Sequence, residues 1–293
     1  MSNKTRLIFV TITALCLLPG LAFADGKFSL RVQGGWAYLS AGDINPGTQA
    51  CFDWYETGWD VSGGGYRAVH KGFELGGDII FELTPRLGIG IGGGYLRISR
   101  VSRVFLNDPD PDVIGAHADF VAEPRLSAIP VRLGLYLTVP LSRKFNFHAD
   151  VGASYYFGAH YSDEWRMSNW AFEIETGYIN VTTRAEKKKT PIGFQGGIGL
   201  EYELLHKLFV YLDARGRYAK FRGLQGSSVL ESDYVSPFSE QGILYYESVP
   251  MLTDAPRLIM VQSSPPDGPD GDPRQAVVDF SGVSLQVGIR IRL

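Results

Sequence analysis

Apolar and polar residues alternate through the last seventeen positions of the chain, VVDFSGVSLQVGIRIRL, from Val277 to Leu293. Val283, Leu285, Val287, Ile289, Ile291 and Leu293 fall on one side of an extended strand; Ser284, Gln286, Gly288, Arg290 and Arg292 fall on the other. A period of two over this length predicts a β-strand and excludes an amphipathic helix. Seven earlier stretches repeat the pattern: 28–38, 70–83, 86–100, 125–139, 144–158, 190–204 and 207–221. In the third, Leu87, Ile89, Ile91 and Tyr95 alternate with Gly88, Gly90, Gly92 and Gly94. A glycine-rich strand interior weakens a sheet in water. On the inner wall of a narrow barrel it leaves room for large side chains from opposite strands.

The outward sides of all eight strands are apolar, and no long helical pattern offers to cover them. In hydrocarbon every backbone polar group must be paired, so only a closed sheet satisfies such a chain. The predicted fold is therefore all-β: a transmembrane antiparallel up-and-down β-barrel of eight strands, the last pairing with the first. The connections at Thr84, Pro140 and Leu205 are tight, whereas 40–69, 101–124, 159–189 and 222–276 are long and polar. One rim of short turns and one of long loops is the build of bacterial outer-membrane barrels. Aromatic residues near the strand ends match two interfacial girdles. Trp36, Tyr38, Tyr95, Tyr155, Phe157 and Tyr218 lie towards the long loops; Phe28, Phe81, Phe145, Phe147 and Tyr202 lie towards the turns. Residues 242–249 and 257–263 read as a hairpin inside the last long loop, or as two more membrane strands that would make ten. A soluble lipocalin-like barrel is the competing architecture, and it would turn the aromatics inward and the charges outward.

Residues 1–24 stand apart. Lys4 and Arg6 precede an apolar run, Leu7 to Leu18, which Pro19 and Gly20 break before Ala22-Phe23-Ala24. This is the layout of a secretory leader cleaved after Ala24, leaving 25–293 as a single domain. Loss of Lys4 and Arg6 takes the formal charge from −3 to −5, which argues against a nucleic-acid partner. Cys51 is then the sole cysteine; its neighbours Asp53, Trp54 and Tyr55 include no base to activate it.

The leader, the alternating strands and the closing GIRIRL resemble the small outer-membrane barrel families: the OmpA transmembrane domain, OmpX and the opacity-type proteins. The resemblance is one of pattern across residues 27–293. It departs at the end, because those families most often finish on an aromatic residue and this chain has Leu293. It implies a bacterial outer-membrane location, contact with membrane lipid and lipopolysaccharide, insertion by the barrel assembly machinery through the C-terminal strand, and a monomer. It implies no cofactor.

Inward positions carry both signs of charge. Glu74, Asp78, Glu82, Asp150, Glu201, Glu203 and Asp213 face Arg31, Arg132, Arg215, Arg217, Arg290 and Arg292 across an interior that side chains fill. They are expected to pair and plug the barrel, since a buried charge that loses its partner costs about 3–5 kcal/mol. A narrow solute channel lined by the same residues is the alternative. A lipid A modifying enzyme is the third reading, with His160, Ser162 and Asp163 at the loop rim as the one cluster that can be drawn as base, nucleophile and acid. In the loops, residues 164–184 hold Trp165, Trp170, Phe172 and Tyr178, candidates for contact with host or surface ligands, and 172–182, FEIETGYINVT, reads as a hairpin above the membrane. The acidic stretches 107–112 and 265–273 lack calcium-loop spacing and read as solvated loops. Taken together, the sequence predicts a structural or surface-recognition protein, not an enzyme.

Overall fold

A computed structural model describes residues 28–110, 115–189, 191–248, 257–266 and 274–293. The predicted leader lies outside these residues, as do parts of both acidic stretches. In chain order the elements are β1 (Phe28–Gly42), α1 (Ile44–Gly58), β2 (Asp60–Gly65), β3 (Lys71–Glu82), β4 (Leu87–Ser99), β5 (Ser102–Asn107), β6 (Ala116–Ala122), β7 (Arg125–Pro140) and β8 (Phe145–Ala171). They continue with β9 (Ile174–Lys187), β10 (Ile192–Leu205), β11 (Leu208–Tyr218), β12 (Lys220–Phe221), β13 (Gln225–Ser232), β14 (Phe238–Ser248), β15 (Arg257–Gln262) and β16 (Val278–Arg292).

Eight strands close a ring, antiparallel throughout: β1, β3, β4, β7, β8, β10, β11 and β16, with β16 pairing back onto β1. Their alternation falls as the sequence predicts. Arg31, Asp78, Glu201 and Arg215 are buried inside, while Val32, Leu133, Ile198 and Val287 are exposed outside. The soluble, apolar-inside alternative is therefore inverted relative to the fold. Residues 242–249 and 257–263 do not add membrane strands: β14 and β15 pair with each other, outside the ring.

The long connections depart from expectation. They are not simply polar loops, because they continue the sheet above the barrel. β8 runs for 27 residues, past the end of its barrel partners, and a left-handed Gly158 (φ 54°) marks the junction. A register shift in the β7–β8 ladder at the same point is what a bulge produces, and it re-aims the strand. Above it, the order β2-β5-β6-β8-β9-β13-β14-β15 carries the same sheet on as a cap. The helix α1 corrects the reading of 40–69 as a polar loop. Its buried residues Ile44, Gly47, Thr48, Cys51, Phe52 and Tyr55 keep the 3,4 spacing of one helix face. That face packs on Val104, Leu106, Phe120 and Met167 of the cap sheet. Asp43 supplies no side-chain cap to the helix. Its carboxylate instead accepts from the Val277 backbone N–H (2.7 Å) and from Arg274 (2.9 Å), tying the start of α1 to the segment entering β16.

Candidate functional site

Two places concentrate chemistry: the lumen and the cap. In the lumen, Arg31 donates to Glu201 at 2.7 Å, and Arg290 lies 2.7 Å from the other Glu201 oxygen. Arg132 pairs with Asp78, and Arg217 pairs with Glu74 while also donating to Ser284 at 2.8 Å. Arg215 reaches Asp150 at 3.0 Å and Asp213 at 3.3 Å; Arg292 closes on Glu82 at 3.0 Å near the turn rim. Of the lumen residues expected from sequence, Glu203 alone makes no ion pair among the described residues; it is half-buried beside the turn. His148 joins the network, 2.9 Å from Asp213 and 3.7 Å from Glu201. The Tyr211 ring lies under the Arg31 guanidinium at 4.6 Å.

Glycines make this network fit. A Cβ at Gly92 would collide with the Asp78 carboxylate and crowd Arg132, and one at Gly197 would press on Asp150 and Asp213. The glycine run of β4 is thus a bare wall opposite the largest lumen side chains. Above the charges, Leu39, Ile44, Leu96, Ile98, Leu126, Tyr156, Phe221 and Phe280 form a continuous buried apolar layer that closes the loop end of the barrel. Buried side chains thus occupy the interior at two levels, one of salt bridges and one apolar.

Asp163 of the proposed rim cluster sits inside the cap, beside Gly47, Thr48 and Cys51 of α1, in a cavity of about 20 Å³. Strand alternation turns Asp163 into the buried face and puts His160 and Ser162, both half-buried, on the other face. The structure does not bring those three side chains together. Tyr161 donates to one Asp163 oxygen at 3.2 Å, and the second oxygen has no hydrogen-bond partner. Burial raises the Asp163 carboxyl to about 6. Burial also pushes the Cys51 thiol well up, so it is an inert core group.

The hairpin read over 172–182 is displaced: Ile174–Lys187 is a single strand, β9, and the turn lies at its start, where Phe172 and Glu173 join it to β8. The four aromatic candidates do not share one role. Trp165 packs on the cap core, Trp170 stacks on His117 and donates to Asp119 at 2.9 Å, and Tyr178 lies under Arg166 at 4.4 Å. These three are structural, because period-two alternation in the extended β8 and β9 gives each a neighbour. Phe172 is 73 % exposed at the hairpin tip, next to Ile174 at 68 %. Sequence reasoning missed Tyr234 and Val235 in the β13–β14 connection and Phe238 at the start of β14, all exposed. Tyr234 reaches the hairpin by accepting from Asn169 at 2.8 Å and lying over Gly177. Phe172 (φ 49°) and Glu173 (φ 65°) both hold the left-handed conformation that a two-residue turn of this hand demands. Asparagine and glycine normally occupy such positions, so the apolar tip is kept at a backbone cost.

Comparison with known proteins places this geometry. The profile of a family described as "Outer membrane protein beta-barrel domain" matches residues 10–234. No curated protein matches the chain. Among solved structures, Neisserial surface protein A is 8 % identical, with 92 % of this chain and 98 % of that one covered and a TM-score of 0.32. OprG from Pseudomonas aeruginosa is 12 % identical, with coverage of 90 % and 95 % and a TM-score of 0.32. The attachment invasion locus protein Ail of Yersinia pestis is 11 % identical, with coverage of 92 % and 100 % and a TM-score of 0.24.

Proposed function

The chain belongs to the outer membrane protein β-barrel domain family, and from that premise we propose that it is a non-conducting surface protein whose rigid cap presents an apolar tip for recognition. Its place is the bacterial outer membrane. The observation that carries the proposal is the exposure of Phe172 and Ile174 at the hairpin tip, and of Tyr234, Val235 and Phe238 where β13 passes into β14, at the far end of a hydrogen-bonded sheet. Apolar side chains on the barrel wall are accounted for by lipid. Those at the tip stand in water, and large apolar side chains held out in water on a rigid scaffold are suited to contact. A preformed scaffold loses little entropy on binding.

The proposal gives the barrel the role of a closed pedestal. It assigns no catalysis, and it takes the unit as a monomer inserted through β16 by the assembly machinery after the leader is removed. Adherence of expressing cells to protein-coated surfaces tests the recognition role. Phe172→Ser with Ile174→Ser is expected to abolish the gain in adherence while leaving surface expression intact; unchanged adherence would refute it. Single-channel recording in planar bilayers tests the pedestal. No current is expected from the wild type, and steady conductance would favour the channel reading.

A further inference from the structure

The outer wall of the barrel carries a groove of about 530 Å³ on the β3–β1–β16–β11 side, bounded by Trp36, Tyr38, Lys71, Ala214, Val283 and Leu285. Trp36 forms one bank; it is 77 % exposed, cross-strand from Leu285 and Phe73. Ala214 leaves the opposite bank low. The groove lies in the band that the family fold puts in lipid, at the end nearest the cap. Lys71 stands at its mouth, level with Tyr38.

Arg97 is Lys71's diagonal neighbour on the outward face, since Arg97 pairs with Phe73 and Gly72 pairs with Ile98. Diagonal side chains of this kind lie about 7–8 Å apart at the backbone. Neither Lys71 nor Arg97 has an ion-pair partner among the described residues. Two like charges on adjacent strands repel unless an anion sits between them. The ring pair Phe73–Tyr95, 5.9 Å apart, lies just below them at the level of the aromatic girdle.

We infer that this face is a binding site for one phosphate-bearing lipid of the outer leaflet, its phosphate held by Lys71 and Arg97 and one acyl chain lying in the groove beside Trp36. The charge arrangement selects a phosphorylated headgroup over a neutral one, and the indole wall selects an acylated ligand over free phosphate. The inference rests on the membrane-barrel fold and is independent of the cap tip.

Native mass spectrometry of the full-length folded protein tests it, with bis-phosphorylated lipid A, its dephosphorylated form and inorganic phosphate as separate probes. The wild type is expected to retain one phosphorylated lipid about tenfold or more in preference to the dephosphorylated form. Lys71→Gln with Arg97→Gln should erase that preference, and Trp36→Ala should weaken retention of both lipids. Lys188→Gln with Lys189→Gln, exposed cations elsewhere near the membrane rim, should change nothing. A heat-mobility gel confirms that each variant is folded. Equal retention of the two lipids, displacement by inorganic phosphate, or an equal loss in the Lys188/Lys189 variant would overturn the site. The adherence assay reads the cap tip separately, so the two can fail independently.

Discussion

Glu201 holds Arg31 from a strand that is not its neighbour in the ring, at 2.7 Å, and both side chains are buried. Arg31 and Arg290 are directly opposed on adjacent strands, β1 and β16. Like charges in that relation destabilise a sheet. Glu201 resolves the conflict by offering one oxygen to each guanidinium. Glu201→Gln keeps the shape and removes the charge, leaving two buried cations to share a neutral amide. The variant is expected to lose about 3–5 kcal/mol of stability. Urea unfolding in detergent micelles, followed by the mobility difference between heated and unheated samples, measures it.

Gly92 lies where Arg132 and Asp78 meet. Gly92→Ala puts a methyl group into the position of the Asp78 carboxylate, so the pair must separate or the strand must shift. Overpacking of a filled interior costs about 1–3 kcal/mol, and a weakened ion pair adds to that. Gly93→Ala, on the same strand with open space at its Cβ, is the control and should cost far less. The difference between the two midpoints is the test.

Asp163 makes the cap sensitive to pH. Its folded value, about 6, stands above the ordinary 3.8 because burial disfavours the carboxylate. The groups near it are Tyr161, Cys51, Tyr66 and Glu123, none of them cationic, with Arg125 engaged by Glu123. The folded cap therefore holds the proton more tightly than the unfolded chain does. Its contribution is fully present below about pH 4 and is lost as the pH rises to about 6. The loss is of the order of 3 kcal/mol. Cys51, on the helix facing Asp163, reports it. Maleimide labelling of Cys51 at pH 7 should be slower in Asp163→Asn than in the wild type, and labelling rates at pH 5 should differ much less.

The barrel could be read from the sequence because its signal is redundant. Each of the eight strands alternates over many residues, and the charges fall on one side of every strand. Arg31, Asp78, Arg132 and Glu201 could be placed in the lumen from period alone; which one pairs with which depends on ring order, which alternation does not contain. The cap was harder to see. Ile44, Gly47, Thr48, Cys51, Phe52 and Tyr55 do keep helical spacing, but three of the six are small, so the apolar stripe is faint. In β5, Ser102, Val104 and Leu106 alternate with Arg103, Phe105 and Asn107 over six residues, too short to stand out from a loop. Trp165 and Trp170 looked like contact residues because nothing in the sequence shows that β6 pairs along β8 and packs them.

The hairpin tip offers the sharpest separation of stability from role. Phe172 and Glu173 occupy the two central positions of a two-residue turn, between the paired residues Ala171 and Ile174, and both have positive φ. A side chain with a Cβ pays for that conformation at about 1 kcal/mol or more per residue. Phe172→Asn with Glu173→Gly supplies the residues this turn favours. Because Phe172 is 73 % exposed, removing its ring forfeits only a limited contact, that beside Gly115. The double variant is therefore expected to be more stable than the wild type, by about 1–2 kcal/mol, in chemical unfolding of the cap. Amide exchange along β8 and β9 should slow accordingly. If the tip is a contact surface, the same variant should adhere no better than cells lacking the protein. A gain in stability coupled to a loss of adherence would show that the strained apolar turn is maintained for contact; a variant that is more stable and fully adherent would assign the contact elsewhere on the cap.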